Sequence, residues 1–142
     1  MGLPDLSAIR QALSDQIVRV ADVRCYPFIP DAPETPCVVV GVDDPYLNPH
    51  LSVRTFGMSL RLIVMVAGTN SRSAQLALDD LVVRVCDAVE AVSTVNGQVL
   101  ENLGLPNVSV SVTSVSGPRA VDLDQVSYPA HEIAVRVIAG RI

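Results

Sequence analysis

At 142 residues, with a net charge of −5 and an apolar fraction of 49%, the chain has room for one domain, taken as residues 1–142. A chain of this length buries roughly 68–70% of the surface its unfolded form exposes, so one ordinary core holds it without a disulfide or metal staple. No basic run exceeds one residue, which argues against direct nucleic-acid binding, and no window approaches the roughly 20 consecutive apolar residues of a membrane span.

Two further bulk properties frame the reading. The start Met1-Gly2-Leu3-Pro4-Asp5 lacks the basic opening and apolar run of a signal peptide, so the chain is expected to act in a cytoplasm or in whatever is assembled there. Mean hydropathy of +0.40 is high, and hidden subunit contacts are one explanation, because obligate interfaces resemble a core cut in half. All ten cations are Arg, which favours forked contacts and equally suits a GC-rich genome.

In chain order, Pro4 suits a first helical turn and Asp5 the positive helix start. Leu6, Ile9, Leu13 and Ile17 then form one apolar stripe, giving a helix over about 4–20. Val23 to Phe28 is a candidate short strand. Pro27, Pro30, Pro33 and Pro36 favour an extended connector across the surface. Cys37 to Val42 is a continuous apolar strand covered on both faces, and Asp43-Asp44-Pro45 breaks it, opening a loop from Asp43 to His50.

A long strand follows from Ser52 to Val66. Phe56, Met58, Leu60, Leu62, Val64 and Val66 fall on one side; Ser59, Arg61, Ile63 and Met65 fall on the other, with Arg54 near the start of the strand. Its length suggests either a hairpin arm or a face turned to a neighbouring subunit near Ile63 and Met65. Gly68-Thr69-Asn70-Ser71 is turn chemistry, with Asn70, Ser71 or Ser73 as helix cap. A second helix over Ser73 to Val92 buries Leu78, Leu81, Val82, Val85, Val89 and Val92, and Asn96-Gly97 stops it. Residues 98–107 read as a loop. Val108 to Val115 alternates as a strand with one wet face, Ser116-Gly117-Pro118 as a turn, and Ser127 to Ile138 as the returning antiparallel strand. The sum is an α+β fold: a mostly antiparallel sheet packed against two helices in the order α-β-β-α-β-β.

No constellation of reactive residues stands out. Cys25, Cys37 and Cys86 read as reduced thiols, with a Cys25–Cys37 disulfide as the alternative. His50 and His131 each follow a Pro-containing turn, and no local spacing brings two metal ligands together. No nucleophile elbow or phosphate loop is present. Asp43-Asp44 reads as turn solvation, and Asp122-Leu123-Asp124 lacks the rest of a calcium loop. The residues imply no catalytic group, no cofactor and no metal.

The order of elements, together with the stretches Pro27 to Val42, Val53 to Val92, and Tyr128-Pro129-Ala130-His131-Glu132-Ile133-Ala134-Val135-Arg136-Val137, resembles the tail terminator (tail completion) proteins of long-tailed bacteriophages. The likeness spans nearly the whole chain, and the Arg-only, Val/Ala/Asp-rich composition looks like that of a phage of an actinobacterial host. The resemblance implies a virion structural protein without enzymatic activity. It implies a homo-oligomeric ring, typically a hexamer, at the head-proximal end of the tail. One ring face would meet the major tail tube protein and the other the head–tail connector protein. Loop position and side-chain type single out Asp43, Asp44, Tyr46, Arg54 and Arg72 as contact residues, with Ile63 and Met65 as the apolar subunit contact. The alternatives are another neck-completion protein, a ferredoxin-like interaction module, or a small ligand-binding domain or enzyme in which His50, His131 and Asp43 meet in a cleft.

Overall fold

A computed structural model describes residues 5–67, 71–91, 94–95, 98–99, 108–123 and 125–140. Two helices lie on one face of a curled, mostly antiparallel sheet, as the α+β reading expected. Helix α1 (Leu6–Ala21) starts where the Asp5 carboxylate accepts the Ser7 amide at 3.0 Å, filling one of the orphan donors of the first turn. It ends at Asp22, whose φ of 53° is a left-handed conformation that Asp tolerates better than most residues. Helix α2 (Arg72–Val89) is capped by Ser71, whose hydroxyl accepts the Ala74 amide. The cap candidate Asn70 and the stripe residue Val92 lie outside the described residues. Ile9, Leu13 and Ile17 of α1 and Leu78, Leu81, Val85 and Val89 of α2 are buried against the sheet.

The strands are β1 (Arg24–Tyr26), β2 (Cys37–Asn48), β3 (Thr55–Met65), β4 (Thr94–Val95), β5 (Gln98–Val99), β6 (Val108–Val115), β7 (Arg119–Leu123) and β8 (Val126–Gly140). The main sheet runs β1-β2-β3-β8-β6, with β7 also on β8; β4 and β5 form a separate two-stranded ribbon. Only β1 and β2 are parallel, and the proline-rich segment 27–36 joins them. Phe56, Met58, Leu60, Leu62 and Val64 of β3 are fully buried beneath the helices. Their partners on β8 are Ala139, Val137, Val135, Ile133 and His131, with Val38 and Val40 beside them on β2.

The order therefore departs from α-β-β-α-β-β at four places. Asp43-Asp44-Pro45 does not end β2, which continues to Asn48 with a register shift between Val42 and Leu47. A bulge is a place where a sheet accepts Pro, because the ladder is already interrupted there. β3 begins at Thr55; Ser52 to Arg54 belong to the bend before it. Gln98–Val99 is a strand, paired with Thr94–Val95 across Asn96-Gly97, and residues 96–97 and 100–107 lie outside the described set.

Finally, Ser116-Gly117-Pro118 is no reversal. β6 and β7 both pair antiparallel with β8, β6 along residues 133–139 and β7 along 126–130. They are two halves of one marginal line, and the Ser116 amide keeps pairing across the gap, donating to the Glu132 carbonyl at 2.8 Å. The tight turn comes later, between Leu123 and Val126, where Gln125 has a φ of 64°.

The sheet's other face is closed at one end. Cys37, Val39, Met65 and Ala130 form a second small core there, under Tyr26, Ile63, Val121, Leu123 and Tyr128. This is why Cys37 to Gly41 are buried on both faces. Cys25 pairs in register with Val38, so it shares the helix-facing side, whereas Cys37 lies on the opposite face. The two thiols point away from each other, and all three cysteines are free.

Candidate functional site

Beyond the second core, the outer face of the sheet carries charge. Arg61 of β3 and Glu132 of β8 share this face by register, and Asp43, at the register shift of β2, reaches it through its pair with Arg61. Arg61 donates to Asp43 Oδ1 at 2.9 Å and to Glu132 Oε2 at 3.3 Å. Arg119 of β7 donates to the same Glu132 oxygen at 2.8 Å. The Glu132 side chain is only 16% exposed and its backbone amide donates to the Ser116 hydroxyl. A partly buried carboxylate held by two guanidinium groups is fixed in place, because losing either partner leaves charge uncompensated. Beside it lies an open hollow of about 200 Å³ lined by Arg61, Ser114, Ser116, Arg119 and Glu132. Its charges already neutralise one another, so the hollow is a polar notch in a rigid face.

The β1 margin is different. Arg10 of α1 donates to the Val40 carbonyl at 2.8 Å and to the Pro27 carbonyl at 3.0 Å, and its guanidinium sits 4.4 Å from the Phe28 ring centre. The planar fork thus closes the outer edge of β2 and pins the proline segment to it. Phe28, Ile29 and Val42 remain 50%, 61% and 49% exposed along this margin. At the far end, the bend between β2 and β3 presents Val53, 83% exposed, next to exposed Arg54.

The residues singled out from sequence are distributed as follows. Asp44 and Arg54 are exposed at the β2–β3 end, Arg72 is exposed at the start of α2, and Asp43 is half-buried in its pair with Arg61. Tyr46 packs against the main core. Met65 is fully buried and Ile63 packs beside it, so the apolar end expected to face a neighbouring subunit is covered by the chain's own β7–β8 hairpin. The reading missed Phe28, Ile29 and Val53; isolated apolar residues in a Pro-rich connector and a bend were the available signal.

The trio His50, His131 and Asp43 is not brought together. His131 is buried on the helix-facing side opposite Val64, Asp43 is on the outer face, and His50 lies beyond the start of β3. Residues 55 and 64 alone are separated by about 30 Å of strand. Among the described residues no three His, Cys, Asp or Glu side chains gather as a metal cluster, and no described helix is long and apolar enough to cross a membrane. No protein-family model matches the chain, and no curated protein matches it significantly.

Proposed function

We propose that this chain is a tail-terminator-like structural protein, which closes into a ring at the head-proximal end of a long-tailed phage's tail tube. In this role it stops tube polymerisation and offers a docking surface to the head connector. The observation that carries the reading is the pair of unlike margins on one sheet. One margin bears exposed Phe28, Ile29 and Val42 beside β1 and β2; the other is the Val/Ser/Thr strand β6 with β7 in line. A head-to-tail ring needs two different patches per subunit, each meeting the other's complement. Exposed apolar side chains at one of them supply area that a neighbour removes from water.

The β2–β3 bend, with Val53 and Arg54, and exposed Asp44 in the β2 bulge are the contacts proposed for tube or connector, and Arg72 marks the α2 end as a further one. The resemblance read from the sequence supplies the class of partner.

The deciding experiment is removal of the gene product from an assembling phage. Loss of a terminator gives tails of uncontrolled length. Tails of normal length that fail to join heads would replace this reading with a neck-completion role. Analytical ultracentrifugation, of the protein alone and mixed with tube protein, should show a species near six subunits in at least one of the two samples. A monomer in both overturns the ring.

A further inference from the structure

His131 is 6% exposed, and both of its ring nitrogens meet oxygen atoms. Nδ1 lies 2.9 Å from the Ser116 carbonyl, and Nε2 lies 3.3 Å from Asp79 Oδ1. A carbonyl has no proton to give, so Nδ1 must donate; an ionised carboxylate has none either, so Nε2 must donate too. A neutral imidazole carries a single N–H. The two contacts coexist as hydrogen bonds only in the doubly protonated ring.

We propose that His131 is a proton-dependent latch tying the middle of α2 to the junction between β6 and β7. It is closed when the ring is protonated and released at its α2 end when the ring is neutral. The inference is independent of the role in tail assembly.

The surroundings leave the decision to one charge. From α2, Asp79 faces the ring; Asp80 pairs with Arg84, which is also turned to the Ala21 carbonyl of α1. From β3, the residue opposite is Val64. From the β6–β7 side comes the Ser116 carbonyl, while Arg119 and Glu132 pair with each other in the network on the outer face. In the neutral ring the Nδ1–H tautomer keeps the buried Ser116 bond, and a lone pair on Nε2 is left facing a carboxylate oxygen. The Asp79 side chain, 69% exposed, then turns to water. The contact to Asp79 needs the proton on Nε2 and is lost when that proton leaves.

Asp79→Asn tests this directly. An asparagine amide can donate to an unprotonated Nε2, so the variant keeps the latch shut in alkali. Thermal midpoints are compared for wild type and Asp79→Asn in acid, at about pH 5.5, and in alkali, at about pH 8.5. The expected result is that the wild-type advantage shrinks or reverses by about 3 °C on going to the higher pH. In a His131→Gln background the same substitution should show no pH-dependent difference. A wild-type advantage independent of pH, or the same dependence persisting in the Gln background, overturns the latch. If His131→Gln does not fold, nitrogen NMR of the wild-type imidazole decides instead: protons on both nitrogens in acid and on Nδ1 alone in alkali are expected. A proton on Nε2 alone in alkali refutes the proposal.

Discussion

Gln16 is a buried amide, 4% exposed, that reaches from α1 to the end of the neighbouring helix. Its Nε2 donates to the carbonyls of Ala88 at 2.6 Å and Ala91 at 3.3 Å. Arg84 returns the contact, donating from α2 to the Ala21 carbonyl at 2.9 Å. Each helix therefore donates a side-chain hydrogen bond to a carbonyl at the C-terminal end of the other. Replacing Gln16 by Ala removes a buried interhelical hydrogen bond and should lower unfolding free energy by about 0.5–1.5 kcal/mol. The check is a lower urea midpoint with an unchanged slope. The cysteines make a second residue-scale prediction. Burial pushes the thiols of Cys25 and Cys37 from their ordinary 9.0 up to about 11, and raises Cys86 as well. The folded chain keeps these thiols protonated at a pH where the unfolded chain ionises them. Their effect on stability is therefore nil below pH 9, and stability falls as pH rises from about 9 towards about 11. Thermal midpoints across that range should decline, less so in a Cys25→Ala, Cys37→Ala double variant.

Among the elements, the β7–β8 hairpin covers the second core. Met65→Ala should cost about 2–5 kcal/mol, measured by chemical unfolding, because Met65 is fully buried beneath that hairpin. The elements differ in how plainly the sequence displays them. The α1 and α2 stripes and the β3 alternation were legible, since each is a local period of apolar residues. The run of β2 through Asp43-Asp44-Pro45 was not, because strands disfavour all three residues and they sit in a register shift between the β3 pairings of Val42 and Leu47. β7 is short, with just Ala120, Val121 and Leu123 apolar, and Ser116-Gly117-Pro118 before it has the composition of a reversal. The cover over Met65 comes from residues more than fifty positions away, as does the Glu132 partner of Arg61. Such facts follow from strand register, which a local pattern does not contain. Exposure of Asp44, Arg54 and Arg72 was legible from polarity and position alone.

The molecule as a whole has one face sealed by helices and one face that is half charged, half closed by its own hairpin. Exposed apolar side chains lie at the margins and the β2–β3 bend, as Phe28, Ile29, Val42 and Val53, and on the outer faces of the helices, as Val18, Val20, Leu76 and Val83. Interface and core can be separated on that basis. Replacing Phe28 and Ile29 together by Ser should lower unfolding free energy by no more than about 1.5 kcal/mol in all, the Arg10 contact of Phe28 included. The same pair should weaken assembly, read as a loss of the heavy species by ultracentrifugation. If stability drops steeply instead, the two residues serve the fold.

β8 sits between β3 on one side and the β6–β7 line on the other, although it is the last of these strands in the sequence. During synthesis the centre of the sheet is consequently the part delivered last. A nascent chain that has emerged through β7 can form its helices and the β2–β3 hairpin, but β3 still lacks the neighbour that flanks it from Thr55 to Met65. Long-range pairing of this kind is slow and leaves strand edges open meanwhile. The protein should therefore reach its native sheet only after residue 140 has left the ribosome, and chaperone dependence should be greatest in that interval.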